Sequence, residues 1–258
     1  EISVKNLTIR YRSDLEPSLT NVSFKIEAGQ KVGIVGRSGC GKSTLVQSIF
    51  RILEAETGQI EIGGIDISAL GLHKLRRAIS VIIQSPVLFG GYSVQENLDP
   101  FGEFGVQDIR EALEAVQMLD VIESLPQGLD TILAEGGNNL SVGQRQLLCL
   151  ARSLLKKSRI LILDEPTANV DTNTDHLLQQ TLKDNFSEAT IISVAHRLDT
   201  VIDYDQILVL GDGKILEYGS PAELLENRES HFTSMVRNTG DSMADYLRTK
   251  AGMETKQE

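Results

Sequence analysis

The stretch Gly36-Arg-Ser-Gly-Cys-Gly-Lys-Ser-Thr44 constrains this chain more than any other, because of what stands on either side of it. Before it runs Lys31-Val-Gly-Ile-Val35, a short β-branched segment that fits a buried parallel strand better than a helix. After it, Thr44 to Leu53 is predicted as a helix with Leu45, Ile49, Ile52 and Leu53 on one face. The spacing G-x-x-x-x-G-K-[ST] between a strand and a helix is the context that gives this motif its meaning, a cradle for phosphate groups. Glycine reaches positive φ, so the backbone N–H groups of Gly36, Arg37, Ser38, Gly39, Cys40 and Gly41 can turn inward toward an anion. A helix starting near Lys42 adds the positive end of its dipole. The Lys42 ammonium brings a full charge, worth about 4 kcal/mol at about 4 Å with an effective dielectric of about 20. Ser43 offers a hydroxyl to Mg²⁺, and Thr44 closes the set.

A second acidic feature belongs with the first. Ile160-Leu-Ile-Leu163 reads as a buried strand ending in Asp164-Glu165. Parallel sheets bind ligands at the carboxyl ends of their strands, so these acids are expected beside the cradle. Asp164 would then hold Mg²⁺ through its water shell, and Glu165 would polarise an attacking water. Taken alone, the pair could equally cap the turn before Pro166.

The rest of the chain supplies the architecture. Ile2, Val4, Leu7 and Ile9 alternate with polar residues, as does Leu19 to Ile26. From about Val94 to Lys157 the pattern turns helical, with Ile109, Leu113, Val116 and Leu119 at helical spacing, which predicts an inserted helical subdomain. Strands return at Thr190–Val194 and at Ile207–Leu210, the latter in a hairpin with Ile215–Tyr218 across Gly211-Asp-Gly213. Ser220-Pro-Ala-Glu223 is a helix start, with a cap, a proline in the first turn and a glutamate three residues after the serine. The domain is expected over 1–237, and 238–258 as a polar tail. Composition narrows the function. Twenty-five basic against 36 acidic residues, a net charge of −11, opposes nonspecific binding to nucleic acid. No apolar run approaches the roughly 20 residues of a membrane helix. Two cysteines, Cys40 and Cys149, fit a reducing compartment.

Leu140-Ser-Val-Gly-Gln144 precedes a helix carrying Leu147, Leu148, Leu150 and Ala151. With the cradle before it and Asp164-Glu165 behind it, the chain resembles the nucleotide-binding domain of an ABC transporter over nearly its whole length. Tyr11, Gln84 after the strand Ile79–Ile83, Asp171, and His196 after Ile191-Ile-Ser-Val-Ala195 stand in the order that family uses. The resemblance implies an α/β fold: a P-loop NTPase core of mainly parallel sheet flanked by helices, an N-terminal antiparallel β subdomain and an inserted α-helical subdomain. It implies ATP and Mg²⁺ as ligands. Tyr11 would stack on adenine, Gln84 would reach Mg²⁺ and the lytic water, and His196 would contact the γ-phosphate and orient Glu165. Leu140, Ser141, Val142, Gly143 and Gln144, with Asp171, would close over the ATP of a second nucleotide-binding domain. Val142 stands where the family's signature has glycine, which stiffens that backbone and bars positive φ. The runs Gln84-Ser-Pro-Val-Leu-Phe89, Glu96-Asn-Leu-Asp-Pro-Phe101 and Ser141-Val-Gly-Gln-Arg-Gln-Leu-Leu-Cys-Leu150 resemble the C subfamily, in particular the second cassette of multidrug-resistance-protein-like exporters. That likeness implies solute export at the cytoplasmic face of a membrane, with membrane domains docking on Ser85–Ser93 through Val87, Leu88, Phe89 and Tyr92. The alternative within the subfamily is a nucleotide-occupancy switch that gates a channel.

Overall fold

The computed structural model describes residues 1–164 and 170–253. The chain gathers into two units, Glu1–Ile79 together with the segment from Ala189, and Ser80–Glu188.

In the first unit, strands β1 (Ile2–Ile9) and β2 (Leu19–Ile26) pair antiparallel, and strand β3 (Lys31–Val35) leads through the glycine loop into helix α1 (Lys42–Ile49). Strands β4 (Thr57–Ile62) and β5 (Ile65–Asp66) then extend the first sheet in the order β2-β1-β4-β5, and helix α2 (Leu72–Ala78) follows. The apolar positions of β1 skip a beat between Val4 and Leu7, and the backbone skips with them. A register shift falls there, with Asn6 in the left-handed region at φ 47°, so Leu7 and Ile9 return to the buried face. The sequence pattern of β4, broken by Gly58, did not announce a strand.

Helix α1 ends earlier than its apolar spacing predicts. Arg51 adopts φ 50° and its guanidinium donates to the carbonyls of Ile67 and Leu70, at 2.8 and 2.7 Å. The chain turns there, and Ile52, expected on the packed face, is 64% exposed.

Strand β6 (Ile79–Ile83) leads into the second unit. Its helices are α3 (Val94–Leu98), α4 (Val106–Ala115), α5 (Leu119–Glu123) and α6 (Val142–Lys156), followed by strand β7 (Ile160–Asp164) and helix α7 (Thr172–Asn185). Helices α3, α4 and α7 all pack on α6. Ile109 and Leu113 of α4 and Leu148, Leu150 and Ala151 of α6 are fully buried, and each buried leucine contributes roughly 1.5–3 kcal/mol. The helical stretch expected over 94–157 thus sits in a unit that also holds β6, β7 and α7.

Back in the first unit come strands β8 (Thr190–Val194), β9 (Gln206–Gly211) and β10 (Lys214–Gly219), then helices α8 (Pro221–Glu226), α9 (His231–Arg237) and α10 (Asp241–Lys250). Strand β3 runs parallel to β8 on one side and β9 on the other, and β9 and β10 form the antiparallel hairpin read from the sequence. Ser220 caps α8 in a capping box with Glu223, also as read. The polar stretch after Asn238 behaves differently from a tail. Helix α10 buries Ala244 and Leu247 in one cluster with Leu198, Val201 and Ile202. Ala244 and Leu247, three apart on one helical face, dock the segment together with Ala251 and Met253, which pack against the same cluster. Residues 254–258 of the expected tail lie outside the described residues.

Candidate functional site

Strand β3 ends at Val35, and the Ala195 N–H donates to the Ile34 carbonyl at 3.1 Å. Gly36 and His196 therefore leave the sheet at the same edge, from neighbouring parallel strands. The loop between β3 and α1 then turns on glycine. Gly36 has φ 153°, and a Cβ there would lie 2.3 Å from the Leu210 carbonyl oxygen and 2.6 Å from Cys40 Sγ. Gly41, at φ 109°, caps α1 without a side-chain hydrogen bond, which leaves the helix's first-turn N–H groups to another acceptor. Lys42 is only 6% exposed, and its Nζ donates to the carbonyls of Gly36 and Arg37 at 2.8 and 3.2 Å. Its ammonium is thus held against the loop it follows. Arg37, Ser38, Gly39 and Ser43 are exposed, while Cys40 and Thr44 are buried. Residues 36–44 contain no acidic side chain. A site made of backbone N–H groups, a helix N-terminus and one ammonium fits a polyphosphate.

Tyr11 is tied to the same helix. Its hydroxyl lies 3.1 Å from Thr44 Oγ1 and donates to Gln47 Oε1 at 3.3 Å, while 48% of the residue stays exposed. Thr44 and Gln47, three residues apart, share a face of α1. The Tyr11 side chain is therefore fixed to the helix into which the glycine loop leads.

The second unit carries the remaining residues. Gln84 is exposed immediately after β6, and the carbonyl before it, that of Ile83, accepts from Gln146 Nε2 of α6 at 2.9 Å. Asp164 ends β7, half-buried. Glu165 lies outside the described residues. Ser141 caps α6: its Oγ accepts from the Gln144 N–H at 3.1 Å, and Gln144 Oε1 accepts from the Ser141 N–H at 2.9 Å. Leu140 is buried beneath the cap. Val142 is the first residue of the helix, a position that takes negative φ, so the backbone there has no need of the glycine expected from the signature. The bar on positive φ therefore costs this backbone nothing. Gly143 is required for space instead: a Cβ would lie 2.8 Å from Thr174 Oγ1. Thr174 in turn donates from Oγ1 to Asp171 Oδ2 at 2.6 Å, and Asp171 caps α7 by accepting from the N–H groups of Asn173 and Thr174, both at 3.1 Å. The Thr174 hydroxyl, ahead of the backbone donors, holds the Asp171 carboxyl below its ordinary pKa. Signature and Asp171 meet through Thr174, a residue the sequence reading missed. Its place three residues after a capping aspartate was the available signal.

The Ser85–Ser93 segment is a braced loop. Val87, Phe89 and Tyr92 are 49%, 50% and 55% exposed, but Leu88, expected with them, is 4% exposed. Asn97 Oδ1 accepts from the Phe89 N–H at 2.7 Å, and Asn97 Nδ2 donates back to the Phe89 carbonyl at 3.0 Å. The Arg152 guanidinium sits 5.9 Å from the centre of the Phe89 ring and donates to the Asn97 carbonyl at 2.8 Å.

The family model described as ABC transporter matches residues 19–168, from β2 through the cradle and signature to just past β7. The chain belongs to the ABC transporter family. It is 50% identical over 240 residues to ATP-binding cassette sub-family C member 2 of Rattus norvegicus, covering 93% of this chain and 15% of that protein. It is 48% identical over 240 residues to sub-family C member 3 of Homo sapiens, covering 93% of this chain and 16% of that protein. A solved bacterial Atm1-family ABC exporter with ATP bound superposes with a TM-score of 0.85 at 36% identity, over 93% of this chain and 42% of the exporter chain. The chain thus spans about a sixth of the curated relatives' length. It is an ATP-binding cassette, and ATP hydrolysis is the general activity of such domains. No helix among the described residues is long and apolar enough to cross a membrane.

Proposed function

We propose that this cassette binds Mg-ATP and hydrolyses it to power solute export by a C-subfamily transporter, paired head to tail with a second cassette at the cytoplasmic face of the membrane. The observation that carries the reading is the loop at Gly36–Gly41 with the buried Lys42 ammonium beside it. The backbone N–H groups of that loop and Lys42 bind the phosphate tail, Tyr11 orients the adenine by stacking, and Thr44 anchors both ends to α1. Ser43, Gln84 and Asp164 are neutral or anionic oxygen donors suited to a hard cation, and they would hold Mg²⁺, which neutralises charge on the phosphate oxygens. Glu165 takes the proton of the attacking water, and His196 at the sheet edge orients that water and the terminal phosphate.

Ser141 to Gln144 present a second helix N-terminus to the nucleotide of the partner cassette, and the Asp171–Thr174 clasp fixes its attitude. Phe89, Tyr92 and Val87, exposed on a loop pinned by Asn97 and Arg152, offer the membrane domains an apolar, preordered dock. A partner that covered them would remove their apolar surface from water, which is favourable. Glu165→Gln tests the mechanism. Turnover is expected to fall at least about 100-fold while ATP binding survives. Unchanged hydrolysis would show that Glu165 is not the base.

A further inference from the structure

Helix α10 takes no part in the mechanism above, yet it grips the turn that follows His196. Leu198–Thr200 form a single 3₁₀ turn, tightened by the Thr200 hydroxyl donating to the Arg197 carbonyl at 2.7 Å and by an Arg197–Asp199 ion pair at 2.7 Å. Helix α10 covers this turn from two directions. Its apolar stripe, Ala244 and Leu247, packs in the cluster that contains Leu198, Val201 and Ile202. Its last residue, Lys250, donates from Nζ to the Asp199 carbonyl at 2.8 Å and lies 3.6 Å from Asp203 Oδ2. One ammonium therefore binds the middle of the turn and the residue three beyond its end. A cation in the last turn of α10 is also favoured by that helix's own dipole.

We propose that α10 is a positioning element for His196, with Lys250 as its operative contact. The inference rests on the reading that His196 orients the hydrolytic centre. Helical packing sets the height of the turn against the sheet, and the Lys250 bond to Asp199 sets its rotation. His196 is two residues before the turn, separated from it only by Arg197, and inherits both. A side chain that must place a ring nitrogen against a reacting group loses rate steeply when its backbone drifts. The side chain of Lys250 is 32% exposed, so its removal leaves the apolar cluster beneath it in place.

The experiment uses the full chain and the substitution Lys250→Met, which keeps the methylene stem and removes the donor. ATP turnover should fall about three- to tenfold, in line with the loss of one charge-assisted hydrogen bond. ATP affinity should stay within about twofold, and Lys250→Arg should restore most of the rate because a guanidinium can still reach the Asp199 carbonyl. In a His196→Ala background the same Met substitution should cost nothing further. Amide exchange at Arg197–Val201 should accelerate in Lys250→Met, and this readout holds whatever the level of activity. The proposal is overturned by unchanged turnover in Lys250→Met, by an equal loss in the His196→Ala background, or by loss of affinity in step with rate. Full turnover in His196→Ala alone would instead overturn the role given to His196. Impaired His196→Ala beside unaffected Lys250→Met would leave that role standing and remove only the brace.

Discussion

Gly36 and Gly39 stand three residues apart in one loop, both with positive φ, and the structure gives them opposite tolerance. At Gly36 an added Cβ meets the Leu210 carbonyl oxygen at 2.3 Å and Cys40 Sγ at 2.6 Å, whereas at Gly39 it meets nothing within 4 Å. Gly36→Ala therefore carries two costs: about 1–3 kcal/mol of backbone strain and about 1–3 kcal/mol of overpacking against a strand carbonyl that cannot swing aside. Their sum, about 2–6 kcal/mol, is a large part of a typical domain stability of about 5–15 kcal/mol. Gly39→Ala carries strain alone, about 1–2 kcal/mol. Urea denaturation of both variants, followed by ATP titration of whatever remains folded, separates the terms. With similar strain at both sites, Gly36→Ala should lose about 1–3 kcal/mol more than Gly39→Ala. Adding Cys40→Ala to Gly36→Ala should recover only part of the loss, because the Leu210 carbonyl stays. Equal destabilisation at the two positions would refute the argument from close approach and leave conformational strain as the whole effect.

Two further substitutions probe the contacts around the cradle and signature. Tyr11→Phe keeps the ring and removes the hydroxyl bonds to Thr44 and Gln47, so ATP affinity in a fluorescence titration should drop about two- to fivefold. Tyr11→Ala should lose roughly tenfold or more through stacking, and inorganic tripolyphosphate should bind all three proteins alike. Gly143→Ala places a methyl 2.8 Å from Thr174 Oγ1 and should lower stability by up to about 2 kcal/mol after the gain in helix propensity, measured by chemical denaturation. Combining it with Thr174→Ala should return most of that loss.

The parts of this protein that were legible in its sequence are those fixed by local stereochemistry. The cradle was readable because a strand, a glycine spacing and a lysine leave few alternatives, and the cap at Ser220 because serine with a glutamate three residues on can satisfy two donors at once. What stayed hidden depends on tertiary neighbours. The need for glycine at Gly143 is spatial, set by a threonine on another helix. Ile52 had the spacing of a packed residue, but Arg51 left the helix to bind carbonyls sixteen and nineteen residues away, and the face turned outward. Helix α10 was obscured by its composition, since two buried residues among charged ones carry little signal until the groove that receives them is known. Gln47 supports Tyr11 across 36 residues of sequence, a relation that no pattern in either segment foretells.

Titration calorimetry of the folded chain with Mg-ATP measures directly the proposed grip of the glycine loop and Lys42 on a triphosphate. Saturable binding is predicted at or below the millimolar range, and Lys42→Met should weaken it by about 100-fold, less than the full Coulomb energy because the ammonium must first give up the Gly36 and Arg37 carbonyls. Absence of a binding heat at millimolar Mg-ATP with Lys42 in place, confirmed by an equally silent equilibrium dialysis, would contradict it.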